Sequence, residues 1–206
     1  MRFLITAGGT REYIDPVRFI SNASSGKTGF ALALAALKAG HKVILISAAK
    51  LTAPSNAKTV YVNSAQEMFT AVKKYFPNCD CLVMAAAVAD YAPAKPSKTK
   101  IKKTNKYLTI KLKPTVDILK WAAVHKKNHQ KVIGFALEDK NIKVNAEKKL
   151  IDKRLDMIVA NAPEVISADK THAYVKTTST DWLKLPSDSK DVVSGKIIRV
   201  IEELFV

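Results

Sequence analysis

The chain has 206 residues, 48% of them hydrophobic and 25% charged, and a formal net charge of +16. That length and apolar content support a packed core and exclude a disordered chain. Uncharged apolar runs such as Phe30 to Leu37 are far shorter than the roughly 20 residues that cross a bilayer, and the Gly8-Gly9 pair arrives too early for a signal peptide. The expectation is therefore a cytoplasmic protein without a membrane partner. In chain order, Arg2 to Thr6 reads as a short apolar strand, Gly26 to Ala39 as a buried helix stopped by Gly40, and Lys42 to Ser47 as a strand rich in β-branched residues. A strand near Thr59 to Val62, a helix from Ala65 to Phe76 capped by Ser64, and an apolar strand from Cys81 to Ala87 continue the alternation. A helix near Asp117 to Lys126, a strand from Lys131 to Leu137, a helix near Lys143 to Lys153 and a strand from Asp156 to Ala160 follow.

Strands that are apolar on both faces belong to covered parallel sheets, so the pattern predicts an α/β protein: a doubly wound, mostly parallel, Rossmann-like sheet. Two regions break the rhythm. Residues 90 to 106 carry seven charged groups and two prolines without a core pattern and read as an exposed, mobile segment, a candidate lid or flap. From Ala173 onward, AYVKTT and DWLKL look like a small antiparallel pair, followed by an amphipathic terminal helix from Val192 to Leu204.

The charge is uneven. Residues 95 to 154 hold 18 Lys and Arg against 5 Asp and Glu, so the middle of the chain expects anions. These could be nucleic-acid backbone or small phosphorylated ligands gathered by electrostatic focusing. Against nucleic acid stand the absence of aromatics among residues 95 to 106 and of a recognised binding motif. Cys79 and Cys81 flank Asp80, and as strand neighbours two apart their side chains should point the same way. With no second pair to complete a metal or disulfide set, they read as reduced thiols. His125 and His129 stand four apart, but Lys126 occupies the position where a zinc-protease motif needs glutamate.

SNASSGKTGFALA, residues 21 to 33, imitates a nucleotide-triphosphate loop but has Ser21 in place of the first glycine. A true P-loop follows its strand directly, whereas 19 residues separate Thr6 from Gly26. Gly8-Gly9 does not complete a dinucleotide fingerprint either. What remains is a long loop entering a helix whose N-terminus, at Ser24, Ser25 and Gly26, offers free N–H groups and a dipole suited to an anion. A plain N-cap explains the serines and glycines but not the polar run Arg11, Glu12, Asp15, Arg18 and Asn22.

The stretch GGTREYIDPVRFISNASSGKTGFALA resembles the phosphopantothenoylcysteine synthetase family, the phosphopantothenate–cysteine ligases of coenzyme A synthesis. AAAVADY at 85 to 91, KIKK at 100 to 103, LTIKL at 108 to 112, GFALE at 134 to 138 and KLIDKRLDMIVAN at 149 to 161 fall in the family's order. The resemblance implies a single ligase domain over residues 1–206, with CTP rather than ATP as co-substrate on the strength of KIKK, Mg²⁺ with ligands unknown, and a homodimer paired through extra strands. Its partners would be 4′-phosphopantothenate and L-cysteine. It also implies site residues. Asn22 and the flap lysine Lys100 would be catalytic, and Ser24, Gly26, Ala85, Ala86, Asp90, Lys100, Asp117, Ile118, Phe135, Lys149 and Lys153 would hold the nucleotide. Asn22, Ala86, Ala87 and Asp90 would hold the pantothenate substrate.

Two departures stand out. Thr115-Val116 replaces the first two residues of the family's NPDI, and Asn161-Ala162 stands where members read AND. Many bacterial members follow a flavin-dependent decarboxylase domain; this chain opens at Met1 just before the TAGGT turn, so neither that domain nor a flavin is expected. A non-catalytic protein that binds phospho-ligands or nucleic acid is the alternative reading.

Overall fold

The computed structural model describes residues 1–165 and 170–206. Its first half comprises β1 (Arg2–Ala7), β2 (Arg11–Tyr13), β3 (Phe19–Ser21), α1 (Lys27–Lys38), β4 (Lys42–Ser47), β5 (Lys58–Tyr61), α2 (Ala65–Tyr75) and β6 (Cys81–Met84). The second half comprises β7 (Tyr91–Pro93), β8 (Leu112–Pro114), α3 (Ile118–His125), β9 (Lys131–Leu137), α4 (Ile142–Asp152), β10 (Met157–Asn161), β11 (Lys170–Thr177), β12 (Leu183–Ser189) and α5 (Lys190–Glu203).

The apolar runs pair into an eight-stranded sheet of order β12-β11-β10-β9-β6-β1-β4-β5. From β10 to β5 every neighbour is parallel. Taken in chain order, those strands follow the doubly wound arrangement in which the order reverses beside the first strand, here between β1 and β6. β6 and β10 are buried along their whole length and β1 is buried after Arg2, as covered parallel strands must be. The strand pleat divides β1 between two cores. Phe3 and Ile5 pack with Leu32 of α1 and Ile197 and Ile201 of α5 on one face. Leu4 packs with Met68 of α2, Ala122 of α3 and Leu150 of α4 on the other.

Local chemistry sets the helix ends. Ser64 accepts the Glu67 N–H at 3.1 Å at the start of α2, and Asp117 accepts the Lys120 N–H at 2.9 Å at the start of α3. Gly29 lets α1 press onto β1, because a Cβ there would lie 2.5 Å from Ala7 Cβ and 2.9 Å from the Thr6 carbonyl oxygen. The close approach that this glycine permits is therefore between two elements of the protein.

Several expectations change. β6 stops at Met84 instead of running to Ala87, because Ala85 N–H turns to the Val83 carbonyl at 3.2 Å and Ala86 N–H to Thr6 Oγ1 at 3.1 Å. Asp90 accordingly lies beyond the strand and not at its end. β11 and β12 pair antiparallel, and β11 also joins β10 antiparallel, so the late strands extend the main sheet. The long loop after β1 folds into the β2–β3 ribbon, and a second ribbon, β7–β8, brackets residues 94 to 111.

Cys79 belongs to the turn before β6 and packs in the core under α2 and α3, whereas Cys81 packs in the opposite core; the two side chains do not share a face. Both are free thiols, and burial pushes the Cys79 thiol up to about 12. α3 ends at His125, so His129 stands outside the helix. Among the described residues no helix is long and apolar enough to cross a membrane.

Candidate functional site

A cleft of about 690 Å³ opens at the carboxyl edge of the parallel strands, across the reversal between β1 and β6, where doubly wound sheets place ligands. Its walls come from the start of α1, the chain after β6, residues 115 to 119 entering α3, the end of β9, Lys149 of α4 and Lys153 just past it, the tip of β10 and the start of α5. The last of these follows from topology. β11 runs against β10 and β12 against β11, so β12 travels with the parallel strands and delivers the N-terminus of α5 to the same edge as that of α1.

The cleft gathers Asn22, Ser24, Gly26, Ala85, Ala86, Ala87, Asp90, Asp117, Ile118, Phe135, Lys149 and Lys153. Asn22 Nδ2 donates to the carbonyls of Ala87 at 3.4 Å and Val88 at 3.2 Å. Those two acceptors fix which end of the amide faces the chain after β6, so Asn22 braces one wall against the other. Gly26 caps α1 with a left-handed φ of 81° and no side-chain bond at the cap. Among the described residues the Ser24 and Ser25 hydroxyls make only long contacts, 3.4 Å each, to the N–H groups of Gly26 and Lys27. Ile118 is only 2% exposed and contributes chiefly to the core beneath the cleft.

The basic side of the cleft is organised around Asp117. Its carboxylate caps α3 and pairs with Lys153 Nζ at 2.9 Å. Burial alone would raise the Asp117 pKa, but the Lys120 N–H and the Lys153 ammonium, with Lys149 further off, hold it below the usual carboxylate range. Lys149 Nζ donates to the Phe135 carbonyl at 2.7 Å. Burial, and then the charge of Lys153, lower its pKa against the opposing pull of Glu138, Asp117 and Asp90. Lys149 and Lys153, one helical turn apart, thus present one ammonium paired with a carboxylate and one desolvated and ready for a partner of opposite charge.

Lys100 stands apart. It is exposed and does not line the cleft. The segment that carries it is tied down on either side: Ser97 N–H donates to the Ile14 carbonyl at 2.8 Å, and Ile101 N–H donates to Asp15 Oδ2 at 3.2 Å.

Comparison with known proteins shows the family. Residues 1–205 match the model of the DNA/pantothenate metabolism flavoprotein C-terminal domain. The chain belongs to that family.

The chain's relatives agree. The chain is 42% identical to the coenzyme A biosynthesis bifunctional protein CoaBC of Bacillus subtilis (strain 168), over 98% of this chain and 51% of that protein. It is 40% identical to the protein of the same name from Vibrio vulnificus (strain CMCP6), over 98% of this chain and 52% of the other. The chain thus spans about half the length of the curated relatives it matches. The crystal structure of the C-terminal domain of a coenzyme A biosynthesis bifunctional protein CoaBC superposes with a TM-score of 0.85 at 40% identity, covering 98% of this chain and 94% of that one.

The sequence motifs do not assign Thr115, Glu138, Asn161 or Lys190 to the site, yet all four line the cleft. One of them carried a signal. Lys190 sits in the first turn of α5, the end at which a helix dipole disfavours a cation, and it is only 7% exposed. A lysine that accepts both penalties points to an anion or to the cleft's own polar groups.

Proposed function

We propose that the chain is a phosphopantothenate–cysteine ligase, joining 4′-phosphopantothenate to L-cysteine with CTP in coenzyme A synthesis. The observation that carries the proposal is the convergence of four separated family motifs, SNASSG, AAAVAD, GFALE and KLIDK, on one cleft. Its volume falls within the roughly 300–1,000 Å³ of small-molecule sites.

In the first step the substrate carboxylate attacks the α-phosphorus of the nucleotide and pyrophosphate leaves. In the second, the cysteine amine attacks the acyl carbon and CMP leaves. Phosphoryl transfer asks mainly for positioning and charge neutralisation, which the start of α1 and Lys149 supply. The Asn22 donor is taken by two carbonyls, so the group it offers a substrate is its amide oxygen. An acceptor suits the attacking amine, whose N–H must be oriented as it approaches the acyl carbon. Lys100 would reach the anionic intermediate by movement of its segment, excluding water that hydrolyses it.

Mg²⁺ fits this donor set. Among the described residues no group of three His, Cys, Asp or Glu side chains gathers as a ready-made metal site, but Mg²⁺ ordinarily binds phosphate oxygens, waters and only one or two carboxylates. Asp90, exposed on the cleft wall, can supply one. When bound, the ion would neutralise phosphate charge.

A cytoplasmic location fits two free cysteines. A homodimer fits the exposed Tyr13, Val17 and Phe19 of the first ribbon and Tyr91 and Leu112 of the second, since apolar side chains grouped on neighbouring ribbons favour a covering partner.

The test incubates the protein with 4′-phosphopantothenate, Mg²⁺, and CTP or ATP in parallel, following pyrophosphate release with and without cysteine. Release with CTP that becomes steady turnover only when cysteine is present is the expected result. Silence with every nucleotide would overturn the assignment in favour of a non-catalytic phospho-ligand binder.

A further inference from the structure

The tip of β10 holds a side chain that the fold leaves unsatisfied. Asn161 is 8% exposed and lines the cleft, and its Oδ1 is buried without a hydrogen-bond partner. No described group accepts from its Nδ2 either. The backbone around it is in order: Asn161 pairs with Leu137 in the sheet, and its carbonyl accepts the Glu138 N–H at 3.1 Å.

Gln130 shows how this fold treats a buried amide that has only a structural duty. It is 2% exposed, its Nε2 donates to the carbonyls of Phe76 at 2.7 Å and Cys79 at 2.8 Å, and its Oε1 accepts the Lys127 N–H at 3.0 Å. Buried amides are ordinarily satisfied in this way. The other such atom among the described residues, Thr59 Oγ1, does not line the cleft.

The chemistry of the unpaired atom, which a ligand reaches when the amide turns toward the cleft, limits its partner. A carbonyl oxygen accepts and cannot donate. Phosphate oxygens at neutral pH also accept, so the polyphosphate cannot satisfy Oδ1. A nucleoside can, through the exocyclic amine of its base or a ribose hydroxyl. Position agrees. β10 lies two strands from β6, roughly 10 Å at the usual strand spacing, so Asn161, paired with Leu137, stands away from the acyl chemistry at Asn22.

Resting on the ligase reading above, we propose that Asn161 is a nucleotide-selecting residue whose amide oxygen accepts a hydrogen bond from the nucleoside. It bears on which nucleoside triphosphate the cleft prefers.

The experiment compares wild type with Asn161→Leu, close in shape and apolar, and with Asn161→Ala as a second variant. Calorimetric titration would measure binding of CTP, 2′-deoxy-CTP, 3′-deoxy-CTP, UTP, ATP and inorganic tripolyphosphate, and thermal melts would be run without ligand. The expected result is a rise of about tenfold in Kd for the preferred nucleotide, unchanged affinity for tripolyphosphate, and a ligand-free melting temperature that does not fall in Asn161→Leu. Lost discrimination of CTP from UTP would identify the base amine as donor, and a lost penalty for a deoxy analogue the ribose.

Equal weakening of tripolyphosphate, unchanged nucleotide affinity, or a lower ligand-free melting temperature in both variants would overturn the proposal while leaving the ligase reading in place. If wild type bound none of the nucleoside triphosphates, both would fall together.

Discussion

Asp15 accepts the backbone N–H of Ile101 at 3.2 Å, across 86 residues of sequence. The same carboxylate accepts the N–H groups of Val17 and Arg18 at 2.8 Å each and the Arg18 guanidinium at 3.0 Å, and Arg18 in turn donates to the Ile101 carbonyl at 3.1 Å. One enclosed carboxylate thereby shapes the loop between β2 and β3 and holds the lysine-bearing segment one residue past Lys100.

Asp15→Ala should release that segment. Amide exchange at residues 97 to 101 is expected to quicken by at least about tenfold, since opening no longer breaks a charge-assisted bond. Unchanged exchange there would mean the segment is held elsewhere. Burial alone would raise the Asp15 pKa, but the three N–H groups and Arg18 keep it below the ordinary carboxylate value. A carboxyl whose folded pKa is depressed stabilises the fold above its unfolded pKa and loses that contribution as pH falls through the folded value. Loosening in the wild type should therefore begin only below about pH 4.

Asn22→Ala and Lys100→Gln separate the two half-reactions. Asn22→Ala should retain part of the pyrophosphate release while ligation falls by about 10²-fold, the usual scale for removing one positioning group at a reacting centre. Lys100→Gln should lower turnover far more than nucleotide affinity, since Lys100 does not line the cleft at rest. Full ligation by Asn22→Ala, or wild-type kinetics in Lys100→Gln, would withdraw the respective role.

Lys149 makes nucleotide binding pH-dependent. Burial and Lys153 depress its pKa from 10.5, so the free protein releases this proton earlier than the unfolded chain does and gains stability as pH rises toward 10.5 through the lowered value. A bound polyphosphate favours the ammonium and restores the proton. Binding in that alkaline window should therefore take up protons, seen as a buffer-dependent enthalpy, and Lys149→Met should abolish the uptake. Equal uptake in the variant would assign it to another group.

Gly29→Ala and Gly195→Ala should move stability in opposite directions, although both glycines lie in helices. At Gly29 a Cβ would meet Ala7 and Thr6 at 2.5 to 2.9 Å, whereas at Gly195 nothing lies within 4 Å. Overpacking against a strand should destabilise Gly29→Ala by about 2 kcal/mol, a fall of roughly 4–8 °C for a chain of this size. The helix preference for alanine should stabilise Gly195→Ala by roughly 0.5–1 kcal/mol. Thermal melts of the two variants decide it, and a Gly29→Ala melt at or above wild type would contradict the close-packing account.

Much of the fold was legible because its causes are local. β-branched apolar runs marked β1, β4 and β9, Ser64 and Asp117 announced their helices, and the residues of the cleft lay in motifs close to strand ends. The ribbons β2–β3 and β7–β8 were not legible, since strands of three residues carry no periodicity and exist through their pairing. The extent of β6 was misread for a related reason. AAA continues an apolar run, and the bonds of Ala85 N–H to the Val83 carbonyl and of Ala86 N–H to Thr6 Oγ1 take the chain out of the ladder.

The sequence by itself determined the alternation of strands and helices, the excess of positive charge in its middle and the motifs that resemble one ligase family, because propensity, capping and composition act within a few residues. Only the tertiary structure decided that β11 and β12 lengthen the main sheet and so bring Lys190 to the cleft, that Asn161 ends β10 with an unsatisfied amide, and that Asp15 tethers the segment of Lys100. Each depends on which strand pairs with which, over separations that no local preference encodes, and hydrogen bonding and burial settle it only when the whole chain has collapsed onto its two cores.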